Sequence, residues 1–151
     1  MSGDAPMRNY AATLPAPDFP DPAFTTPVPL SDATVAIVTS AALHRPDDDR
    51  FHQSETDYRV LPRVARDLVL GHWSPNFDRA GFTADINVVI PLDRLEEMAA
   101  DGTIGAVSDI HLSFAGNQED DGLATIIHDS GPRAAAELKA AGVEVVLLTP
   151  V

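Results

Sequence analysis

Three histidines, His44, His72 and His111, stand in or at the ends of short apolar segments. Imidazole exchanges a proton near neutral pH without help, so each is a candidate for acid–base or substrate-binding work. His44 ends the run that begins at Thr34, and His72 precedes Trp73 at the end of another. His111 and Ser113 share one face of a strand, because side chains alternate, and a satisfied interior histidine is the plainer reading there. Asp78 and Arg79 fall in a turn, where they either orient substrate charge or form an Asx bond and a surface pair. His44, His72, His111 and Asp78 could together offer three imidazoles and a carboxylate to a metal. No two of them stand at i, i+4, so the spacing does not require one, and no metal is expected. Asn87, inside an apolar stretch, is expected to satisfy its amide on a neighbouring loop, and His52 and His128 receive no role. Cysteine is absent, which removes disulfides, thiolate metal sites and a thiol nucleophile from the 151 residues.

The 23 acidic and 10 basic side chains give a formal charge of −13. Phosphate binding needs clustered Lys and Arg, so neither nucleic acid nor an anionic membrane is an expected partner. The acidic runs Asp47-Asp48-Asp49 and Glu119-Asp120-Asp121 lack the spaced ligands of a calcium loop and read as solvated loops. There is no apolar run of about 18 residues to cross a membrane. The stretch from Met1 to Pro6 lacks the basic start and apolar core of a signal peptide, so a cytoplasmic place is expected.

The scaffold that must position these residues is legible in outline. Residues 1–31 hold seven of the 13 prolines and read as an extended arm without regular structure. Tyr10, Leu14, Phe19, Phe24 and Val28 give that arm enough apolar surface to wrap over the domain or a partner subunit. Residues 32–151 read as one α/β domain. Thr34 to Leu43 suits a strand covered on both faces, and a polar loop then runs past Tyr58. Asp67 to Trp73 reads as a second strand, Ser74 to Asp78 as a turn, and Ile86 to Ile90 as a further apolar strand. Leu92, Leu95, Met98 and Ala99 fall at helical spacing, with acids early and Gly102 as the stop. Gly105 to Phe114 reads as a strand. A short helix follows around Leu123 to Ile127, broken at Gly131-Pro132, and a second runs from Pro132 to Ala141. Val143 to Thr149 reads as the clearest buried strand. The alternation predicts a mostly parallel sheet flanked by helices. Ligands in such a sheet lie beyond the carboxyl ends of the strands, and a helix normally covers the face of the last one. The expectation is therefore that another chain covers this strand or that the domain is cut short.

Several stretches in order resemble the selenoprotein B subunits of glycine, sarcosine and betaine reductases and of D-proline reductase, in their short stand-alone form. They are Val35-Ala-Ile-Val-Thr-Ser-Ala-Ala-Leu-His44, Asp57-Tyr-Arg-Val-Leu-Pro62, His72-Trp-Ser-Pro-Asn-Phe-Asp-Arg-Ala-Gly-Phe82 and Asp85-Ile-Asn-Val-Val-Ile-Pro-Leu-Asp-Arg-Leu95. Gly102-Thr-Ile-Gly105, His111-Leu-Ser-Phe114 and Leu138-Lys-Ala-Ala-Gly-Val-Glu-Val-Val-Leu-Leu-Thr-Pro-Val151 complete the set. The resemblance implies selenocysteine or cysteine directly after Val151, a small amine or amino acid as substrate, and reductive C–N cleavage. It also implies a partner subunit bearing a pyruvoyl group, hence a homo- or hetero-oligomer. Of that site the chain supplies the wall, for which His44, His72, Asp78, His111 and Thr149 are the candidates. A non-catalytic binding or assembly subunit of the same fold is the rival, and a metal-dependent hydrolase a weaker one. As it stands, without the nucleophile, the 151-residue product is expected to be inactive. Sequencing beyond codon 151 is expected to find UGA followed by an in-frame continuation with a cysteine a few residues on; UAA, UAG or no such continuation overturns the expectation.

Overall fold

The computed structural model describes residues 4–13, 25–53, 55–73, 79–116, 118 and 120–151. Its organising element is β1 (Thr34–Thr39), whose backbone serves neighbours on both sides. On one side it pairs in parallel with β5 (Ala106–Val107) through Thr34 and Val35, and with β6 (Ile110–Phe114) through Val38 and Thr39. On the other it pairs in parallel with β7 (Val145–Thr149) along its length. β3 (Tyr58–Pro62) closes the far side of β6 in antiparallel register. The sheet is mostly parallel and carries helices on its faces, as the segment order predicts.

Alternation along β1 divides the core in two. Val35 and Ile37 face a cluster with Leu61, Val89, Ile90, Leu92, Leu95 and Val107, under helix α3 (Leu92–Ala100). Ala36 faces Leu112, Ala134 and Leu138 on the other side, under α5 (Gly131–Ala140). Ile37, Leu43, Leu61, Ile90 and Leu112 are fully buried, each contributing about 1.5–3 kcal/mol of transfer free energy. Gly102, with φ of 79°, ends α3 in the left-handed region as its position predicts.

Several elements differ from the sequence reading, among them β3, which forms where a loop is expected. Ile86 to Ile90 forms no strand: Ile86–Val88 is a 3-10 turn, because the Asp85 carboxylate accepts from the Asn87 amide N–H and fixes a tight bend. Asn87 does satisfy its amide structurally, donating to Asp85 and Asp93 and accepting from the Asp93 backbone N–H at the start of α3. The second strand shrinks to β4 (Val69–Leu70), which pairs only with β2 (Leu43–His44) in a separate ladder. Residues 120–140 are not broken at Gly131-Pro132. Helix α4 (Asp120–Thr125) passes into α5 through a π turn at Ile126–Ser130, a wide turn just ahead of Pro132, which has no N–H to donate. β7 is not buried: it is an edge strand, with Val146, Leu147 and Leu148 exposed.

The proline-rich arm is described only in part. Asp4–Ala11 forms a helix, α1, where no regular structure is expected; Pro6 sits in its first turn, where a missing N–H costs no helical bond. Tyr10 and Val28 are exposed, while Leu14, Phe19 and Phe24 lie outside the described residues. The short helix α2 (Arg79–Ala84) follows the Ser74–Asp78 stretch, which also lies outside them.

Gly105 sits where the chain enters β5, its N–H bonded to the Leu30 carbonyl. A methyl there would stand 2.6 Å from the Asp32 carbonyl carbon and 2.9 Å from the Ala33 nitrogen. The obstacle is the Asp32–Ala33 peptide, which is backbone and cannot swing aside as a side chain would. Gly105→Ala is therefore expected to lower unfolding free energy by about 1–3 kcal/mol in urea titrations, and a loss below a few tenths contradicts this packing.

Candidate functional site

The carboxyl tips of β1 and β7 meet in a turn that carries strain. After Thr39 the chain passes through Ser40, Ala41 and Ala42, and Ala42 is the only non-glycine residue with positive φ (53°) among the described residues. An L-residue pays about 1–2 kcal/mol there, and such conformations collect at functional sites. Backbone bonds hold it: the Ala42 N–H donates to the Phe114 carbonyl and the Gly71 N–H to the Ala42 carbonyl, each at 2.9 Å. The Leu43 N–H donates to Ser113 Oγ at 2.7 Å, so buried Ser113 serves the same turn.

Val151 lies against this turn. Its N–H donates to Ser40 Oγ at 2.9 Å, and the same hydroxyl lies 3.3 Å from its carbonyl oxygen. His72, six per cent exposed, hydrogen-bonds to the Val151 backbone, which raises its pKa. Burial and then the nearby Arg79 guanidinium lower it, and the net shift is downward. Arg79 also donates to the His72 carbonyl at 2.6 Å, fixing the residue from behind. Gly116 makes the approach fit: a methyl on it would lie 2.8 Å from the Ser40 carbonyl and 3.1 Å from His72 Nε2. His72 stacks near Trp73, and Trp73 packs with Ala42, Phe51 and Ala115, so the apolar floor of the tip continues into the 45–57 loop.

The other candidates separate. His44 is buried on β2, next in line along the same turn. Its Nδ1 lies 2.8 Å from the Arg45 carbonyl, which can only accept, so Nδ1 carries the hydrogen. Its ring lies 6.4 Å from that of Phe51. Thr149 is turned inward: its hydroxyl donates to the Val89 carbonyl at 2.9 Å, and its carbonyl accepts from the Ser40 N–H. His111 lies in the sheet itself. Between the stretches of β1 that pair with β5 and β6, the Ile37 N–H donates to His111 Nδ1 at 2.9 Å instead of to a ladder carbonyl. The hydrogen therefore sits on Nε2, and the ring closes the gap where the strand is interrupted. Asp78 lies outside the described residues. Among the described residues no three His, Asp or Glu side chains are grouped to hold a metal ion. Ser40, Ala42 and Gly116 were not singled out by the sequence; the one cue is a run of small residues after a strand.

Burial, followed by the Arg63 and Arg66 charges, pushes His111 down to about 4, against a weaker opposing effect of Glu96. Its folded pKa lies below the unfolded value near 6.5, so the unfolded chain binds the extra proton first. Unfolding free energy is expected to fall as pH drops from about 6.5 to about 4, by up to about 3 kcal/mol, and to be fully present above that window. His72 adds in the same direction. Denaturant unfolding at pH 7 and 4.5 checks it: the wild type should lose stability, and His111→Asn should lose markedly less. Parallel profiles refute the assignment.

The glycine/sarcosine/betaine reductase selenoprotein B family matches residues 6–151. The D-proline reductase subunit gamma of Acetoanaerobium sticklandii is 33% identical over 154 residues, which cover 99% of this chain and 62% of that protein. The glycine reductase complex component B subunit gamma of Carboxydothermus hydrogenoformans is 32% identical over 152 residues, covering 94% of this chain and 34% of that protein. The chain thus spans under two thirds of the length of either relative. No solved structure matches. With a family match that runs through both halves of the core and ends on the strand tip, the chain belongs to the glycine/sarcosine/betaine reductase selenoprotein B family.

Proposed function

We propose that this chain is the scaffold of a selenoprotein B-type reductase component that acts on a small amine or amino acid by reductive C–N cleavage. The observation that carries the reading is the convergence of Ser40 and His72 on the Val151 backbone, with Gly116 packed against both, at the carboxyl tip of two parallel strands. Ligands of open α/β sheets lie at that edge. A thiolate or selenolate directly after Val151 would supply the nucleophile, and the pyruvoyl group belongs to the partner subunit in this reading.

The chain's own residues prepare the place. Ser40 fixes the backbone that would present the nucleophile. His72 is held largely neutral at pH 7 by burial and Arg79, leaving its imidazole able to accept a proton from a thiol or selenol beside it. Buried His72 and the Trp73 side limit water, and His44 lines the same turn. The relatives are named as subunits of reductases, one of them of a complex, which supports a partner subunit here. No helix among the described residues is long and apolar enough to cross a membrane, in keeping with a cytoplasmic place in this reading. The exposed apolar side chains of β7 favour a second reading, an assembly subunit without catalysis.

A cysteine placed directly after Val151 separates the two. Under the catalytic reading its alkylation by iodoacetamide follows a pKa below the usual 8.5, and His72→Gln slows the reaction at pH 7 by about tenfold. An ordinary pKa that His72→Gln leaves unchanged overturns the catalytic reading. The unextended 151 residues should give no dithiol-dependent reduction of glycine or D-proline.

A further inference from the structure

The sheet is finished at one edge and open at the other. β3 ends it with Arg59 and Pro62, a charge and a missing donor that discourage further pairing. β7, Val145-Val-Leu-Leu-Thr149, has neither, and among the described residues it pairs with β1 alone. The Thr149 carbonyl accepts from the Ser40 N–H, so by alternation the Val146 and Leu148 amides point away from β1, toward the open edge. Leu148 is 68% exposed.

On the α5 face, β7 borders two apolar grooves of about 450 and 220 Å3. Both are lined by Val38 and Phe114; the larger adds Leu138 and Val146, and the smaller adds Leu148 and Pro150. Together they follow β7, whose five residues span about 16 Å. That is the length of about eleven helical residues. The chain runs from β6 through α5 to β7, stepping over β1 toward the open edge. A further crossover of the same right-handed sense, continuing outward from β7, lays its helix on the α5 face. The grooves are on that face.

We propose that the β7 edge and these grooves seat a crossover unit: an amphipathic helix of about three turns beside α5, then a strand parallel to β7. Its occupant is polypeptide of the kind the longer relatives carry outside the shared region, which in the A. sticklandii subunit leaves only 62% of its length aligned. The docking is independent of the catalytic reading, since it needs no nucleophile and is read without turnover.

The test appends to Val151 the part of the A. sticklandii subunit that follows the shared region and compares amide hydrogen exchange with that of the 151-residue chain. The Val146 and Leu148 amides should exchange at least tenfold more slowly in the fusion. Leu148→Glu should abolish that protection, yet shift the melting temperature of the 151-residue chain by no more than about 2 °C, since the side chain is exposed there. Unchanged exchange overturns the proposal. So does protection already present in the 151-residue chain and lost on dilution, which assigns the edge to a second copy. Should the fusion fail to fold, the same segment added in trans gives the same readout, slowed exchange supporting the docking and unchanged exchange overturning it.

Discussion

Everything in this fold hangs on β1 serving two neighbours at once. Its odd residues bond toward β5 and β6, its even residues toward β7, and its two faces bury the two halves of the core. A six-residue strand so used directs backbone groups to both sides. Where the partner strand is interrupted at Ser108 and Asp109, an Ile37 N–H would be left buried and unpaired, at a cost of about 1–3 kcal/mol. His111 Nδ1 fills that position. The histidine is therefore part of the sheet, and burial at that place is the main cause of its lowered pKa.

Such dependence on place explains what the sequence could and could not say. α3 is legible because its apolar spacing matches the helical period and Gly102 ends it, and β1 and β7 because short, β-branched-rich apolar runs suit strands. β3 is not, because an edge strand with Arg59 and Pro62 has the composition of a loop. Ile86 to Ile90 misleads in the opposite way: its apolar side chains suit a strand, but Asp85 and Asn87 bond locally and tighten it into a turn. β7 reads as buried because Val-Val-Leu-Leu is apolar on both faces, while burial depends on what packs against it.

The site divides along the same line. His72 is visible as a histidine ending an apolar run, and it does stand on the strand tip. Thr149 and His111 also serve the scaffold, the Thr149 hydroxyl bonding Val89 and His111 Nδ1 bonding Ile37. The groups that complete the tip are a serine, an alanine and a glycine, and nothing in their identity announces them. Ala42 is the clearest case, since an alanine gives no sign that its φ will be positive.

The strain at Ala42 is held by the scaffold, not by a flexible loop. A left-handed alanine costs about 1–2 kcal/mol. The turn around it makes backbone bonds from Ala42 to Phe114 and from Gly71 to Ala42, and a bond from the Leu43 N–H to the Ser113 hydroxyl, each worth a net contribution of about 0.5–1.5 kcal/mol. Two or three such bonds offset the strain, so the turn is held by the scaffold's own bonds. Gly71 permits one of them, for a methyl there would stand 2.7 Å from the Ala42 carbonyl. Ser40 is the residue just before this fixed turn and just after β1, and therefore its hydroxyl meets Val151 from a position set by the sheet. Groups held this way need little reorganisation to act, which is the property that a preorganised site requires.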